Sequence, residues 1–268
     1  MIKKLNPFFI AEIGINHGGS LDKAIHLVDE AKKSGYDSVK FQTYTTEKRV
    51  KKNSNIFEIL KKCELSYDDF VKINKFCIQK KIIFFSTPFD GQSAKFLNDL
   101  KVQLFKIASF DISNLKLVKI IKKFNKPVIV STGMASKSEI DKIYNIFKSK
   151  LKNLIILHCV SSYPLKEEDS NLKKIQTLRN LYNCRIGLSD HTNDIDTVTY
   201  ARLMGASVFE KHFMLKNDNC VDKKVSIDTV KSKKMISNIK FIDKVLGDGR
   251  IGIKSHEISI KQFKRYSK

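Results

Sequence analysis

Apolar positions along this chain alternate between two periods. Eight short runs rich in β-branched and aromatic residues read as buried strands: FFIAEIG from Phe8, SVKFQTY from Ser38, IIFFSTPF from Ile82, LFKIAS from Leu104, PVIVSTG from Pro127, LIILHCVSSYP from Leu154, RIGLSDHT from Arg185 and SVFEKHF from Ser207. Between them, apolar residues recur at helical spacing. In SLDKAIHLVDEAKKSG, Leu21, Ala24, Ile25, Val28 and Ala31 share one face, Ser20 can cap the start and Gly35 supplies a stop. A second helix is expected after Tyr67, then NLKLVKIIKKF, KSEIDKIYNIFKSK, NLKKIQTLRNLY and DTVTYARLMG, and a last long one from about Ile227 to Leu246.

Strand and helix alternating eight times predict parallel pairing with right-handed crossovers, and a closed (β/α)8 TIM barrel has a typical size of about 250 residues. An open doubly wound sheet is the alternative. No GxGxxG or GxxxxGK[ST] string follows any strand, which removes that fold's usual nucleotide-binding signatures. The connection TTEKRVKKNSNIFEILKKCELS is long for a βα loop and reads as an active-site wall or lid. The barrel is expected over residues 1–247, with a Gly-rich, charged linker over 248–268.

Composition narrows the function classes. No run approaches the roughly 18 apolar residues of a membrane helix. The start, MIKKLNPFFIAEIG, has a short apolar stretch broken by Glu12 and lacks a small-residue cleavage site, so no signal peptide is expected. The five cysteines form no CxxC pair, which points to reduced thiols and a cytoplasmic protein. Net charge is +22, from 50 basic against 28 acidic residues. Only six of the basic residues are arginine, and the lysines are spread over nearly every helix, so solvated faces are expected and not a nucleic-acid or membrane surface. The field still favours anionic small substrates.

A barrel of this kind reacts at the C-terminal ends of its strands. Those ends carry Glu12, Asn16 and His17; Lys40 and Gln42; Ser86 and Thr87; Lys106 and Ser109; Ser131 and Thr132; His158 and Ser161; Ser189, Asp190 and His191; Glu210 and His212. Any one of them alone could cap a helix or solvate a loop. Parity directs Lys40 and Lys106 inward, where an ammonium needs an anion from the protein or from a substrate. Two lysines among hydroxyls suit a phosphate and a carboxylate. His191 and His212 end neighbouring strands, where they can share a divalent ion or serve as hydrogen-bonded structural residues. Glu12, beside them, could orient or deprotonate a metal-bound water. Cys159 and His158 point to opposite faces of one strand, so packing is expected of Cys159 rather than a Cys/His dyad.

The strings AEIGINHGGS, VKFQTY, STPF, FKIAS, VIVSTGM, HCVSSYP, IGLSDHT and FEKHF, in this order over nearly the whole chain, resemble the sialic acid synthase family, which includes N-acetylneuraminate, pseudaminate and legionaminate synthases. The resemblance implies a barrel that condenses phosphoenolpyruvate with an N-acetylated amino sugar aldehyde such as N-acetylmannosamine, releasing phosphate with the aid of manganese or magnesium. It implies phosphoenolpyruvate binding by Lys40, Thr87, Lys106, Ser109, Ser161 and Ser189, the last but one falling where many members have Asn. It assigns His191 and His212 to the metal, Glu12 to its neighbourhood, and Gln42, Asp111, Tyr163 and Asp222 to the sugar. Members of the family continue into a small antifreeze-like domain that lends an arginine to the partner subunit's sugar site. This chain stops where that domain would begin, so a homodimer or a separately encoded antifreeze-like domain is the partner to expect. The rivals are a synthase acting on sugar phosphates, which needs a second, arginine-rich anion site, and a non-catalytic barrel. No strand end carries arginine, which disfavours the first, and intact Glu12, Lys40, Lys106, His191 and His212 disfavour the second.

Overall fold

The computed structural model describes residues 6–265; residues 1–5 of the N-terminal stretch and 266–268 of the expected linker lie outside the described residues. All eight expected strands form: β1 (Phe8–Gly14), β2 (Ser38–Thr43), β3 (Ile83–Pro88), β4 (Phe105–Ile107), β5 (Val128–Ser131), β6 (Leu154–Cys159), β7 (Arg185–Asp190) and β8 (Val208–Phe213). They pair in parallel in the order β3-β2-β1-β8-β7-β6-β5-β4. The β1–β8 ladder joins first strand to last, β3 and β4 pack at the remaining seam, and the sheet is a (β/α)8 barrel.

The helices are α1 (Leu21–Ser34), α2 (Thr46–Arg49), α3 (Phe57–Lys62), α4 (Tyr67–Lys80), α5 (Gly91–Asp99), α6 (Leu115–Lys123), α7 (Lys137–Phe147), α8 (Lys173–Leu181), α9 (Asp196–Leu203) and α10 (Thr229–Leu246). Ser20 caps α1 as expected, and Gly35 ends it with φ of 95°. Ser66 and Ser136 close reciprocal capping boxes with Asp69 and Glu139. Two differences from the sequence reading appear. The long β2–α4 connection is built on α2 and α3, and α5 is an additional helix, started by Asp90, whose carboxylate accepts from the Gln92 and Ser93 N–H groups. A two-residue strand, β9 (Ser226–Ile227), pairs in parallel with the end of β8. Residues 247–265 lie exposed beyond α10 and include a 3-10 turn over Ser255–Phe263.

Strand parity divides the molecule into layers. Outward-facing residues such as Phe9, Ala11, Val39, Phe41, Val128, Val130, Ile156 and Phe209 join the helices in the main core. Inside the ring, Ile10, Phe85, Leu104, Ile129, Leu157 and Val208 form a separate apolar plug. Two residues further along these strands stand Glu12, Thr87, Lys106, Ser131, Cys159 and Glu210. The period of two therefore places a polar layer directly on an apolar floor, at the C-terminal end of the barrel.

Candidate active site

That polar layer opens into a cavity of about 370 Å³ lined by, among others, Glu12, Lys40, Lys106, Ser131, Ser189, His191, Glu210 and His212. Lys40 and Lys106 are buried, as parity requires. Lys40 Nζ lies 2.8 Å from Glu12 Oε2 and donates to Thr87 Oγ1 at 3.3 Å. Glu210, noted in the sequence only as a strand-end residue, is the hub. Its Oε1 accepts from Ser189 Oγ at 2.9 Å and lies 3.3 Å from Lys106 Nζ and 3.8 Å from Lys40 Nζ. Its signal was legible in hindsight: it sits two residues before His212, hence on the same inward face.

Sharing one carboxylate makes the two ammonium groups unequal. Burial pushes Lys40 down, but Glu12 and Glu210 outweigh it and hold its pKa above the ordinary lysine value. Burial also pushes Lys106 down; Glu210 opposes this, the charge of Lys40 adds to it, and the net direction is downward. Burial would raise the Glu210 carboxyl, yet the two lysines hold it below its usual range. Of the two site lysines, Lys106 is thus the one less provided with negative charge.

Hydroxyls line the adjoining wall. Gly133 N donates to Ser109 Oγ at 2.9 Å. A Cβ at Gly133 would lie 2.2 Å from Ser161 Oγ, 2.9 Å from Ser109 Oγ and 3.3 Å from Cys159 Sγ, so glycine here is what lets these three side chains converge. Ser131 Oγ and Ser161 Oγ are buried without a hydrogen-bond partner. Cys159 corrects the expectation of a packing role. It faces the cavity while His158 turns outward, Nε2 against the Ser170 carbonyl at 2.7 Å, and the Cys159 thiol lies 4.0 Å from His191 Nδ1. Parity correctly separated Cys159 from His158, but the barrel supplies a different histidine from the next strand.

His191 and His212 come together, with ring centroids 5.5 Å apart. His191 Nδ1 donates to the Val160 carbonyl at 2.8 Å, and His212 Nδ1 lies 3.3 Å from Asp222 Oδ2. The hydrogen bond commits His191 Nδ1 and leaves its Nε2 with the free lone pair, whereas His212 Nδ1 lies at ion-pair distance from Asp222 without a hydrogen-bond partner. Glu12 is the lateral neighbour of His212 in the β1–β8 ladder, as anticipated, although its carboxylate is engaged by Lys40 and by Gln42 Nε2 at 3.3 Å. Among the described residues, no group of three His, Cys, Asp or Glu side chains converges as a metal site.

The residues expected at the sugar are less uniform. Tyr163 lines the cavity with its ring 4.1 Å from that of His191. Asp222 also lines it, held by Asn16 Oδ1, which accepts its N–H at 2.9 Å, and drawn close by Gly14, where a Cβ would lie 3.3 Å from Asp222 Oδ2 and 3.2 Å from Glu12 Oε1. Asp111 stands outside the lining, accepting from Asn114 Nδ2 at 3.1 Å. The rim is completed by Ile56, Ile59, Phe89, Phe110, Val221 and Arg49, none of which the sequence reading singled out, because their aim depends on loop geometry.

Known proteins share this architecture. The NeuB family model matches residues 27–251. A pseudaminic acid synthase of Campylobacter jejuni is 35% identical over 96% of this chain and 80% of its own length. An N,N'-diacetyllegionaminic acid synthase of Legionella pneumophila is 37% identical over 97% of this chain and 79% of its own. The solved N-acetylneuraminic acid synthetase of Leptospira borgpetersenii, in complex with citrate, superposes with a TM-score of 0.92 at 36% identity, covering 96% of this chain and 91% of that one. The chain therefore belongs to the NeuB family, and it is an enzyme of that family's synthase type.

Proposed function

We propose that the barrel joins phosphoenolpyruvate to the aldehyde of an N-acetylated amino sugar, N-acetylmannosamine or a related hexosamine, and releases phosphate to give a nonulosonic acid. The observation that carries this reading is the polar layer itself: Lys40 and Lys106 meet on one carboxylate oxygen of Glu210, and Lys106 is left short of negative charge. A phosphate or carboxylate supplies what Lys106 lacks, and the unpartnered hydroxyls of Ser131 and Ser161 beside Ser109 offer neutral donors to its remaining oxygens.

In this reading C3 of phosphoenolpyruvate attacks the aldehyde carbon, whose oxygen takes up a proton to become a hydroxyl; positive charge builds at C2, water adds there and loses a proton, and the tetrahedral centre collapses to the 2-keto group as its hydroxyl proton is lost and phosphate leaves by C–O cleavage. Lys40, Lys106, Thr87, Ser109, Ser161 and Ser189 hold the phosphate and carboxylate in place through these changes, so their contribution is positioning and charge stabilisation. Tyr163 and Asp222 border the sugar.

The donor set fits a divalent ion. Two imidazoles with ring centroids 5.5 Å apart line one cavity, His212 Nδ1 is buried without a hydrogen-bond partner, and a highly anionic substrate over Glu12, Glu210 and Asp222 calls for a further cation. His191 and His212 would hold manganese or magnesium, which when bound supplies Lewis-acid polarisation of the aldehyde oxygen.

The test is a phosphate-release assay with phosphoenolpyruvate, manganese and a panel of N-acetylated hexosamines. The expected result is phosphate release strictly dependent on one of the sugars, with a 2-keto acid formed in equal amount. Absence of release with every sugar overturns the reading.

A further inference from the structure

We infer that Arg49 recognises the acyl carbonyl of the amino sugar and so sets the enzyme's preference for N-acylated substrates; this rests on the synthase reading above. Arg49 ends the short helix α2 in the long β2–α4 connection and reaches the cavity from outside the barrel. Its position is fixed without an ion pair. The guanidinium carbon lies 3.8 Å from the ring centroid of Phe89 and 4.5 Å from that of Tyr44. Nη1 donates to Gln42 Oε1 at 2.8 Å. Tyr44 is itself held, its hydroxyl donating to the Leu60 carbonyl at 3.0 Å and its ring lying edge-on to Phe89 at 6.1 Å. A guanidinium carries five N–H donors in a rigid fork, and the bond to Gln42 uses one of them.

Gln42 is the less free of the two. Its carbonyl oxygen accepts from Arg49, and its amide nitrogen donates to Glu12 Oε1 at 3.3 Å. The side-chain amide expected to touch the sugar thus links Arg49 at the rim to the Glu12–Lys40 pair below, with one N–H left to give. Of the two side chains, both in the cavity lining, the arginine has the larger share of uncommitted donors.

The surroundings decide what it takes. Asp111, Asp222 and Glu12 all act on Arg49 through their charges, so a phosphate brought to this guanidinium would meet several carboxylates. A neutral carbonyl oxygen meets no such opposition. Beside Arg49 the rim presents Ile56, Ile59, Val221 and Phe110, all exposed to solvent and all lining the same cavity. A short acyl group has one carbonyl oxygen and one methyl, and this corner offers a fixed donor for the first and apolar surface for the second. A free amine would lose both contacts and place a cation beside a cation.

The experiment compares wild type, Arg49→Lys and Arg49→Gln with the N-acetylated hexosamine that wild type uses best, with the same sugar carrying a free amine, and with its 6-phosphate. The expected result is a rise of about 10- to 100-fold in KM for the N-acetyl sugar, the range for losing a hydrogen bond from a charged group. Both variants should show it, since lysine keeps the charge but neither the fork nor the stacking. KM for phosphoenolpyruvate should stay unchanged, which also certifies the fold, and kcat/KM for the free-amine sugar should not move. An unchanged KM for the N-acetyl sugar, an equal loss on the free-amine sugar, or a loss confined to the phosphorylated sugar overturns the inference while leaving the synthase reading in place. No turnover by wild type with any sugar overturns both.

Discussion

The floor and the rim of this cavity are built by different rules. The floor consists of strand residues, Glu12, Lys40, Lys106 and Glu210, all buried, and its lysines and carboxylates neutralise one another at distances of 2.8 to 3.8 Å. The rim consists of residues from the loops and short helices of the βα connections, Arg49, Ile56, Ile59, Phe110 and Val221, which are partly open to solvent, with Arg49 held by stacking and a single hydrogen bond. Where the barrel ladder fixes side chains, a charged cluster can be buried, since the backbone has already paid the ordering cost. Where loops carry the side chains, contacts can change without disturbing the ring. Chemistry common to a family belongs on the first kind of scaffold, and choice among substrates on the second.

The sharpest test of this division lies where floor and rim meet, at the two histidines. Removing divalent ions with EDTA is expected to lower phosphate release by on the order of a thousandfold, consistent with the several kcal/mol a Lewis acid contributes. Added manganese or magnesium should restore it, and undiminished release in EDTA would detach His191 and His212 from a metal role.

On the floor alone, Lys106→Met is expected to weaken phosphoenolpyruvate binding by roughly 10²- to 10³-fold, the range for truncating one partner of a buried charge pair. The circular dichroism spectrum should be unchanged, because Glu210 keeps Ser189 and Lys40 as partners. Retained affinity, measured by titration calorimetry, would remove Lys106 from the site.

On the rim, Ile59→Ser should raise KM for the sugar by roughly fivefold, as partial loss of one apolar contact does, and leave KM for phosphoenolpyruvate alone. Equal effects on both substrates would erase the distinction between the two regions.

The smallest effect concerns how one rim loop is tied down. Glu139 accepts from Ser113, in the β4–α6 connection that also carries Phe110, and from Ser136 at the start of α7. These bonds lower its pKa from 4.5 to about 2. A lowered carboxyl pKa adds stability that is complete above the ordinary value and is lost as pH falls through the folded-state value. The melting temperature of Glu139→Ala should therefore fall short of wild type most clearly above pH 4.5, with the gap narrowing toward about 2. A gap independent of pH would show that the carboxylate charge is not what holds the loop.

The same division explains what the sequence could reveal. Strand positions obey a period of two, so Lys40 and Lys106 could be placed inside and His158 outside from the pattern alone. The lateral partners that complete the floor come from other strands, and register decides them: Ser189 lies opposite Glu210, and Cys159 opposite Ser189. The approach of Cys159 to His191 on the next strand therefore could not be read from the pattern of its own strand. The helix α5 escaped notice because GQSAKFLND has few apolar residues, and its clearest signal is the Asp90 cap. Loop positions have no period. The aim of Arg49 depends on the rings of Phe89 and Tyr44, and that of Asp222 on a distant asparagine, Asn16, whose amide also donates to the Phe213 carbonyl at 2.9 Å. Asp111 was expected at the sugar and lies outside the lining, for the same reason.

The plug of Ile10, Phe85, Leu104, Ile129, Leu157 and Val208 stops up the far end of the ring. The polar layer above it is therefore approached from the side of the loops, and a ligand on the lysines lies beneath one held at the rim. On the synthase reading proposed above, depth favours one order of loading, the molecule destined for the lysines before the one caught by the loops.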